Sequence, residues 1–443
     1  MLFHMLSGGM RYCFSVVPRI IEGVPTGQIL CIIPVMLGAT DIGQKQLQAG
    51  SHRTRSLDAT LAHILPLRHQ FGITRISNVT GLDRIGLPVV LVTRPNSRSV
   101  AVSQGKGTSL EAAKASALME AIELWHAENI VRPMIFASPN DIERYGPAID
   151  IARLPQVAGS RYSGTRRFHW IDGFDIASGR RLLIPYEMVH ADYTPPGLPG
   201  EGCFPASTNG LASGNHPLEA ICHAICEVIE RDAITVWNYC PAETRDATGL
   251  DLASIDCGVC RGIIGAIEQA GLHAAVWDAT SDVGVATFLC LIGDQANLNS
   301  HIGLGSGAHP DRSIALARAL TEAAQTRMNY ITGSRDDLRF EEFTTAGRLQ
   351  MLGAAKTLLR SESALRSFRV VPSSTKETLR EDLDLLIERL AAVGLREIGC
   401  VDLSQGVADI PVVRVVIPGL EAPHDDDSFV PGPRAAAASK GKT

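Results

Sequence analysis

The chain has 443 residues, of which 45% are hydrophobic and 20% charged, and carries a formal net charge of −6. That length allows two or three domain-sized units or one elaborated domain, and the composition is that of a folded soluble protein rather than a disordered one. The acidic balance argues against a broadly electrostatic nucleic-acid binder; the ten cysteines lack the dense spacing of a disulfide-stapled secreted domain, so a reducing cytoplasm is the simplest setting.

Residues 1–50 read as an N-terminal extension. The apolar run from Ile29 to Leu37 is interrupted by Pro34 and too short to span a bilayer, and Met36 is a candidate alternative start. From Ser56, the text S-L-D-A-T-L-A-H-I-L predicts an amphipathic helix capped by Ser56 or Asp58. Leu87 to Val92 and Val100 to Val102 read as strands flanking the turn-rich R-P-N-S-R. Gly105-Lys106-Gly107 then leads into an Ala-rich helix predicted over 109–129. Residues 134–200 mix short strands with Pro and Gly turns, and Y-T-P-P-G-L-P-G-E at 193–201 reads as loop. A second Gly-rich stretch, Ser207 to Asn215, precedes a helix predicted over 217–237. Strand-like text at 273–292 runs into Gly303 to Gly307 and a helix predicted over 311–332. The main domain is thus expected over 51–423, with a partly disordered tail at 424–443.

The three long helices carry one polar spacing, i, i+4, i+7. It comprises Ser116, Glu120 and Glu123 in the first, His223, Glu227 and Glu230 (followed by Arg231) in the second, and Arg318, Glu322 and Gln325 in the third. Offsets of that kind fall within roughly 60° of arc, so each trio is one narrow stripe. Around Glu120 and Glu123 stand Ala117, Leu118, Met119, Ala121, Ile122, Leu124 and Trp125. A solvated face would instead place Lys or Arg four residues after each Glu. Inward-facing carboxylates need cations, supplied either by arginines of neighbouring elements or by bound metal. Several together suit a nucleotide triphosphate with Mg²⁺, and Gly-rich stretches before the helices would bring backbone N–H groups to phosphate. No Walker motif is present.

These residues resemble the YcaO family. Gly105-Lys106-Gly107 followed by A-K-A-S-A-L-M-E-A-I-E is similar to its S-x-x-x-E-x-x-E-R element. S-T-N-G-L-A-S-G-N with E-A-I-C-H-A-I-C-E-V-I-E-R-D is similar to its second nucleotide-binding element, and R-A-L-T-E-A-A-Q-T-R to its third. The resemblance implies an α+β YcaO-type fold with mixed β-sheets and three Ala-rich helices lining a central nucleotide pocket. It also implies ATP and Mg²⁺ contacts at Ser116, Glu120, Glu123, Asn215, Glu219, Glu227, Glu230, Arg231, Arg318, Glu322 and Gln325. Arg53 and Thr60 match an N-terminal basic and hydroxyl pair by spacing. Glu120, Glu123, Glu227 and Glu230 would hold the metal, and Arg231 or Arg318 would stabilise the transferring phosphoryl group. Leu124 departs from the pattern, standing where the first element often has Arg.

F-G-I-T-R-I-S-N-V-T-G-L-D-R-I-G-L-P-V at 71–89, W-D-A-T-S-D at 277–282 and G-S-R-D-D at 333–337 look most like the subgroup associated with TfuA partners. That likeness implies thioamidation of a peptide with a TfuA-like partner protein, in a homodimer, without nucleic acid or membrane. The near-terminal V-P-G-P-R only partly matches the P-x-P-x-P ending of azoline-forming members, which makes azoline formation the lesser expectation. The rival is a non-catalytic ATP-binding accessory factor for a ribosomal-protein methylthiotransferase or another modifying enzyme. His223 reads as a packed helix residue rather than a catalyst. Cys257 and Cys260 form a C-x-x-C without the second pair that a zinc site needs, and Cys222 and Cys226 read as packed thiols.

Overall fold

The computed structural model describes residues 42–48, 50–294, 301–344, 365–406, 408–423 and 429–441; the apolar run at 29–37 and Met36 lie outside them. Strands β1 (Gln46–Gln48) and β2 (Ser51–Arg53) form a hairpin ahead of helix α1 (Leu57–Ile64). Ser56 holds the cap, its hydroxyl accepting the Ala59 N–H, while Asp58 sits in the first turn where the helix dipole favours an acid. The antiparallel trio β3 (Arg75–Asn78), β4 (Val89–Thr93) and β5 (Val102–Lys106) delivers the chain to α2 (Leu110–Glu128).

A central antiparallel sheet begins with β6 (Met134–Ala137), β7 (Phe168–Asp175), β8 (Arg181–Pro185) and β9 (Leu211–Ser213), the last running into α3 (Pro217–Tyr239). Helix α4 (Gly258–Gln269) precedes a second antiparallel trio, β10 (His273–Asp278), β11 (Thr287–Gly293) and β12 (Gly303–Ala308), which feeds α5 (Arg312–Thr332). After α6 (Leu379–Ala392), strands β13 (Gly399–Asp402) and β14 (Val412–Val416) return to the central sheet. Its order is β6-β7-β13-β14-β9, with β8 also on β7. The α+β class holds, and the three larger sheets are antiparallel throughout. Among the described residues no helix is long and apolar enough to cross a membrane.

Each striped helix therefore follows directly on a strand, and the Gly-rich stretches are largely those strands rather than phosphate-facing loops. Gly105 lies within β5, and Gly303, Gly305 and Gly307 share one face of β12 by the period-two rule. A Cβ on Gly105 would stand 2.0 Å from Ala113 O, and one on Gly305 2.2 Å from Ala323 N. Glycine is needed there because strand and helix backbones touch. The helix N-termini are meanwhile capped from within: Ser109, His216 and Asp311 accept the N–H groups of Ala112, Leu218 and Ser313. The expectation that these termini cradle phosphate gains no support from that geometry.

Both domain ends differ from expectation. Gln44 bridges to Thr378, and the buried ammonium of Lys45 lies 2.5 Å from Asp382 of α6, so the folded body begins before residue 50. At the other end, helix α7 (Pro433–Ala438) is seated on α3 with Ala435 and Ala438 fully buried. Arg434 Nε sits 2.8 Å from Asp232 Oδ1, a carboxylate with no solvent exposure, while Glu421 accepts the Gly432 and Ala435 N–H groups. Composition alone suggested disorder here. The buried Asp232, which the composition of the tail does not reveal, supplies the partner that orders it.

Candidate functional site

The striped faces of α2, α3 and α5 meet, and most of their carboxylates are steered by a neighbouring strand. Ser213 at the end of β9 donates its N–H (2.7 Å) and hydroxyl (2.6 Å) to Glu123 Oε1. Ser306 of β12 donates its hydroxyl to Glu230 Oε1 at 2.7 Å and its N–H to Glu322 Oε1 at 3.2 Å; Ala308 N–H reaches Glu230 Oε2 at 2.8 Å. Lys106, the last residue of β5, pairs with Glu322 Oε2. Gln104 on the same strand gives its backbone N–H to Glu120 and accepts Gln325 Nε2 at 3.0 Å, tying α2 to α5. Glu120, Glu123, Glu227 and Glu322 are half-buried, so water reaches the recess they line.

The remaining candidates gather at the same place. Ser116 lies one turn before Glu120, half-buried on its stripe. Arg318 Nη2 donates to His223 Nε2 at 2.9 Å, so His223 is no mere packing residue: it orients a cation of the recess. Thr60 donates to Asn215 Oδ1 at 3.0 Å, and Arg53 lies 3.5 Å from Glu219 Oε1. The N-terminal pair found by spacing thus docks on the start of α3. Exposed Arg231 follows Glu230 on α3, and its charge is felt by Glu227 and Glu322. Leu124, the departure from the motif, carries no charge and is buried in the apolar core.

Sequence reasoning missed several contributors. Thr54, whose N–H and hydroxyl hold Glu219 Oε2 at 3.1 and 3.2 Å, gave no signal of its own. Ser213, Ser306 and Lys106 stood inside the Gly-rich stretches and were legible as polar residues beside the stripes. The positive charge of Arg335, from G-S-R-D-D, is felt at Glu120 although it lies far along the chain.

The carboxyls of the recess are strongly perturbed. Burial pushes Glu123 up to about 8, with repulsion from Glu120 and Glu227 adding to it against the pull of Ser213. Burial likewise raises Glu227 to about 7, opposed by Arg231 and reinforced by Glu230. Glu120 is raised to about 6 by burial, against Arg335 and Lys106. Glu322 goes the other way, to about 2: burial would raise it, but Lys106 and Arg231 outweigh that cost. The donor set is all carboxylate oxygen, the hard ligand type that Mg²⁺ prefers. Glu230 is the most committed of the four expected metal holders, with both oxygens already accepting protein hydrogen bonds.

A pH dependence follows. Glu120, Glu123 and Glu227 have folded values above their unfolded ones, so the stability they confer is full below about 4.5 and is lost as pH rises through about 6, 7 and 8. A cation held by them would need them ionised, so its binding would release protons. We expect Mg²⁺–nucleotide affinity to rise between about pH 6 and 8, with proton release seen by calorimetry in buffers of different ionisation enthalpy. A flat profile across that window would remove these carboxylates from the metal site.

The family model described as YcaO cyclodehydratase, ATP- and Mg²⁺-binding, matches residues 104–421, and the chain belongs to the YcaO family. An uncharacterized protein in the tfuA 3′ region of Rhizobium leguminosarum bv. trifolii is 34% identical over 389 residues, covering 86% of this chain and 91% of that protein. An uncharacterized protein of Methanothermobacter thermautotrophicus is 35% identical over 358 residues, 79% and 90% of the two chains. The fold is shared with YcaO from Methanopyrus kandleri bound with AMPPCP and Mg²⁺, at a TM-score of 0.69, 23% identity and 85% and 95% coverage. It is also shared with a heterocyclase in complex with substrate and cofactor, at a TM-score of 0.69, 20% identity and 88% and 56% coverage.

Proposed function

We propose that this protein activates a backbone amide of a peptide by ATP-dependent phosphorylation, with thioamidation as the outcome, acting as a homodimer with a TfuA-like partner. The observation that carries the reading is the convergence of Glu120, Glu123, Glu227 and Glu230 with Lys106, Arg231 and Arg318 in one recess. Membership of an ATP- and Mg²⁺-binding family and a relative from the tfuA region support it.

An amide carbonyl is a poor electrophile, and its oxygen leaves badly. Sulfide adds to the carbonyl carbon, and the tetrahedral oxyanion attacks the γ-phosphorus of ATP, releasing ADP. The C–O bond then breaks, phosphate departs with the former amide oxygen, and loss of the proton leaves the thioamide. Glu120, Glu123 and Glu227 would hold Mg²⁺, which when bound would neutralise phosphate charge, with Glu230 keeping β12 against α3. Arg318, oriented by His223, and Arg231 supply fixed positive charge whose attraction for the phosphoryl group strengthens as negative charge develops on it. No protein nucleophile is required.

The test is a peptide carrying heavy oxygen in its amide, incubated with ATP, sulfide and the partner protein. We expect the label in inorganic phosphate and a peptide product with sulfur in place of oxygen, both by mass spectrometry. Labelled phosphate with a dehydrated peptide would move the assignment to azoline formation. ATP hydrolysis with unlabelled phosphate would end the amide-activation reading.

A further inference from the structure

The C-x-x-C at 257–260 lies outside the nucleotide recess and takes no part in the chemistry above. Cys257 is the N-cap of α4 and half-exposed, and its Sγ accepts the Cys260 backbone N–H at 3.5 Å. Cys260, one turn on, has no solvent exposure. Its thiol donates to Ser313 O, in the first turn of α5, at 3.3 Å. Both are free thiols. The surface beside the outer sulfur is open, because the intervening Gly258 is exposed and a Cβ there would meet nothing within 4 Å.

Two cysteines that merely fill a core would both be hidden, as Cys222 and Cys226 are. Here one cysteine is half-buried at a helix start, beside an exposed glycine, and the other lies fully buried one helical turn on. That division suits thiol–disulfide exchange, in which an accessible sulfur attacks and a neighbouring one resolves. We infer that Cys257 and Cys260 form a redox-active dithiol whose substrate is a low-molecular-weight disulfide.

Cys257, as thiolate, attacks one sulfur of RS–SR, forming a mixed disulfide and expelling RS⁻, which takes up the proton Cys257 gave up. The Cys260 sulfur then attacks Cys257 Sγ, closing the intramolecular disulfide and expelling the second RS⁻, which takes up the Cys260 proton. The protein loses two electrons and two protons, and RS–SR becomes two RSH. Closure also withdraws the proton that Cys260 donates to Ser313 O, a contact at the start of the helix bearing Arg318 and Glu322.

The full-length protein is incubated with oxidised glutathione, without denaturant, then quenched with acid, alkylated and peptide-mapped. We expect a Cys257–Cys260 disulfide that dithiothreitol reverses. In Cys260→Ser, glutathione should remain on Cys257 and load about tenfold faster than on Cys240, which is equally half-buried but is the C-cap of α3, where the helix dipole disfavours a thiolate, whereas Cys257 is an N-cap, where it favours one. In Cys257→Ser, Cys260 should stay unmodified. A Cys257–Cys260 link that forms only after addition of guanidinium, or equal loading of Cys257 and Cys240, would overturn the assignment.

Discussion

Glu227→Gln is expected to leave a protein as stable as the parent, or more so, whose peptide-dependent ATP turnover has fallen by about two orders of magnitude or more. The two effects separate because of where Glu227 sits. Burial and Glu230 raise its carboxyl to about 7, so much of it is already neutral near that pH, and glutamine imitates the neutral form in shape and charge; the free fold loses little. The anionic form is needed only when a cation and phosphates arrive. Thermal melting of the free protein and phosphate release with peptide and partner would show the split; near-parental turnover would take Glu227 out of the site. Glu120→Ala should lower turnover likewise. Glu230→Ala should do so too, with an added stability cost of about 1–3 kcal/mol, because Ser306 and Ala308 lose buried hydrogen-bond partners.

Gly305→Ala should cost about 3 kcal/mol or more, measured by urea denaturation. The added methyl would stand 2.2 Å from Ala323 N and 2.5 Å from Ala319 O, backbone atoms of α5 that no rotamer change can move aside. Gly262→Ala is the matched control. It lies exposed inside α4, where an added Cβ would meet nothing within 4 Å, so the same substitution should stabilise by about 0.5–1 kcal/mol through helix propensity. Equal effects at the two positions would refute the close strand–helix contact.

The stripes were legible because helical spacing is a local property. All three long helices lie within a residue or two of where periodicity placed them, and their apolar surroundings announced an inward face. The Gly-rich stretches were misread for a physical reason. Glycine bares the backbone, so G-L-G-S-G suggested N–H groups offered to phosphate, yet its alternation was also the signature of a strand with one bare face. Which carboxylate oxygen goes to protein and which to a cation could not be read at all. That allocation depends on Ser213, Ser306 and Lys106 arriving from other strands, and no spacing within a helix encodes it. The ordered C-terminal helix was hidden for the same reason, since Arg434 finds Asp232 at a separation of 202 residues along the chain.

The bare strands beneath α2 and α5 also set a limit on variation. Helix and strand rest on one another through main-chain atoms, so the width of the recess is fixed by parts of the polymer common to every sequence. Side chains along the stripes can be exchanged without resetting the gauge between the helices. An engineer seeking a new peptide substrate would therefore leave the floor alone and redraw the rim.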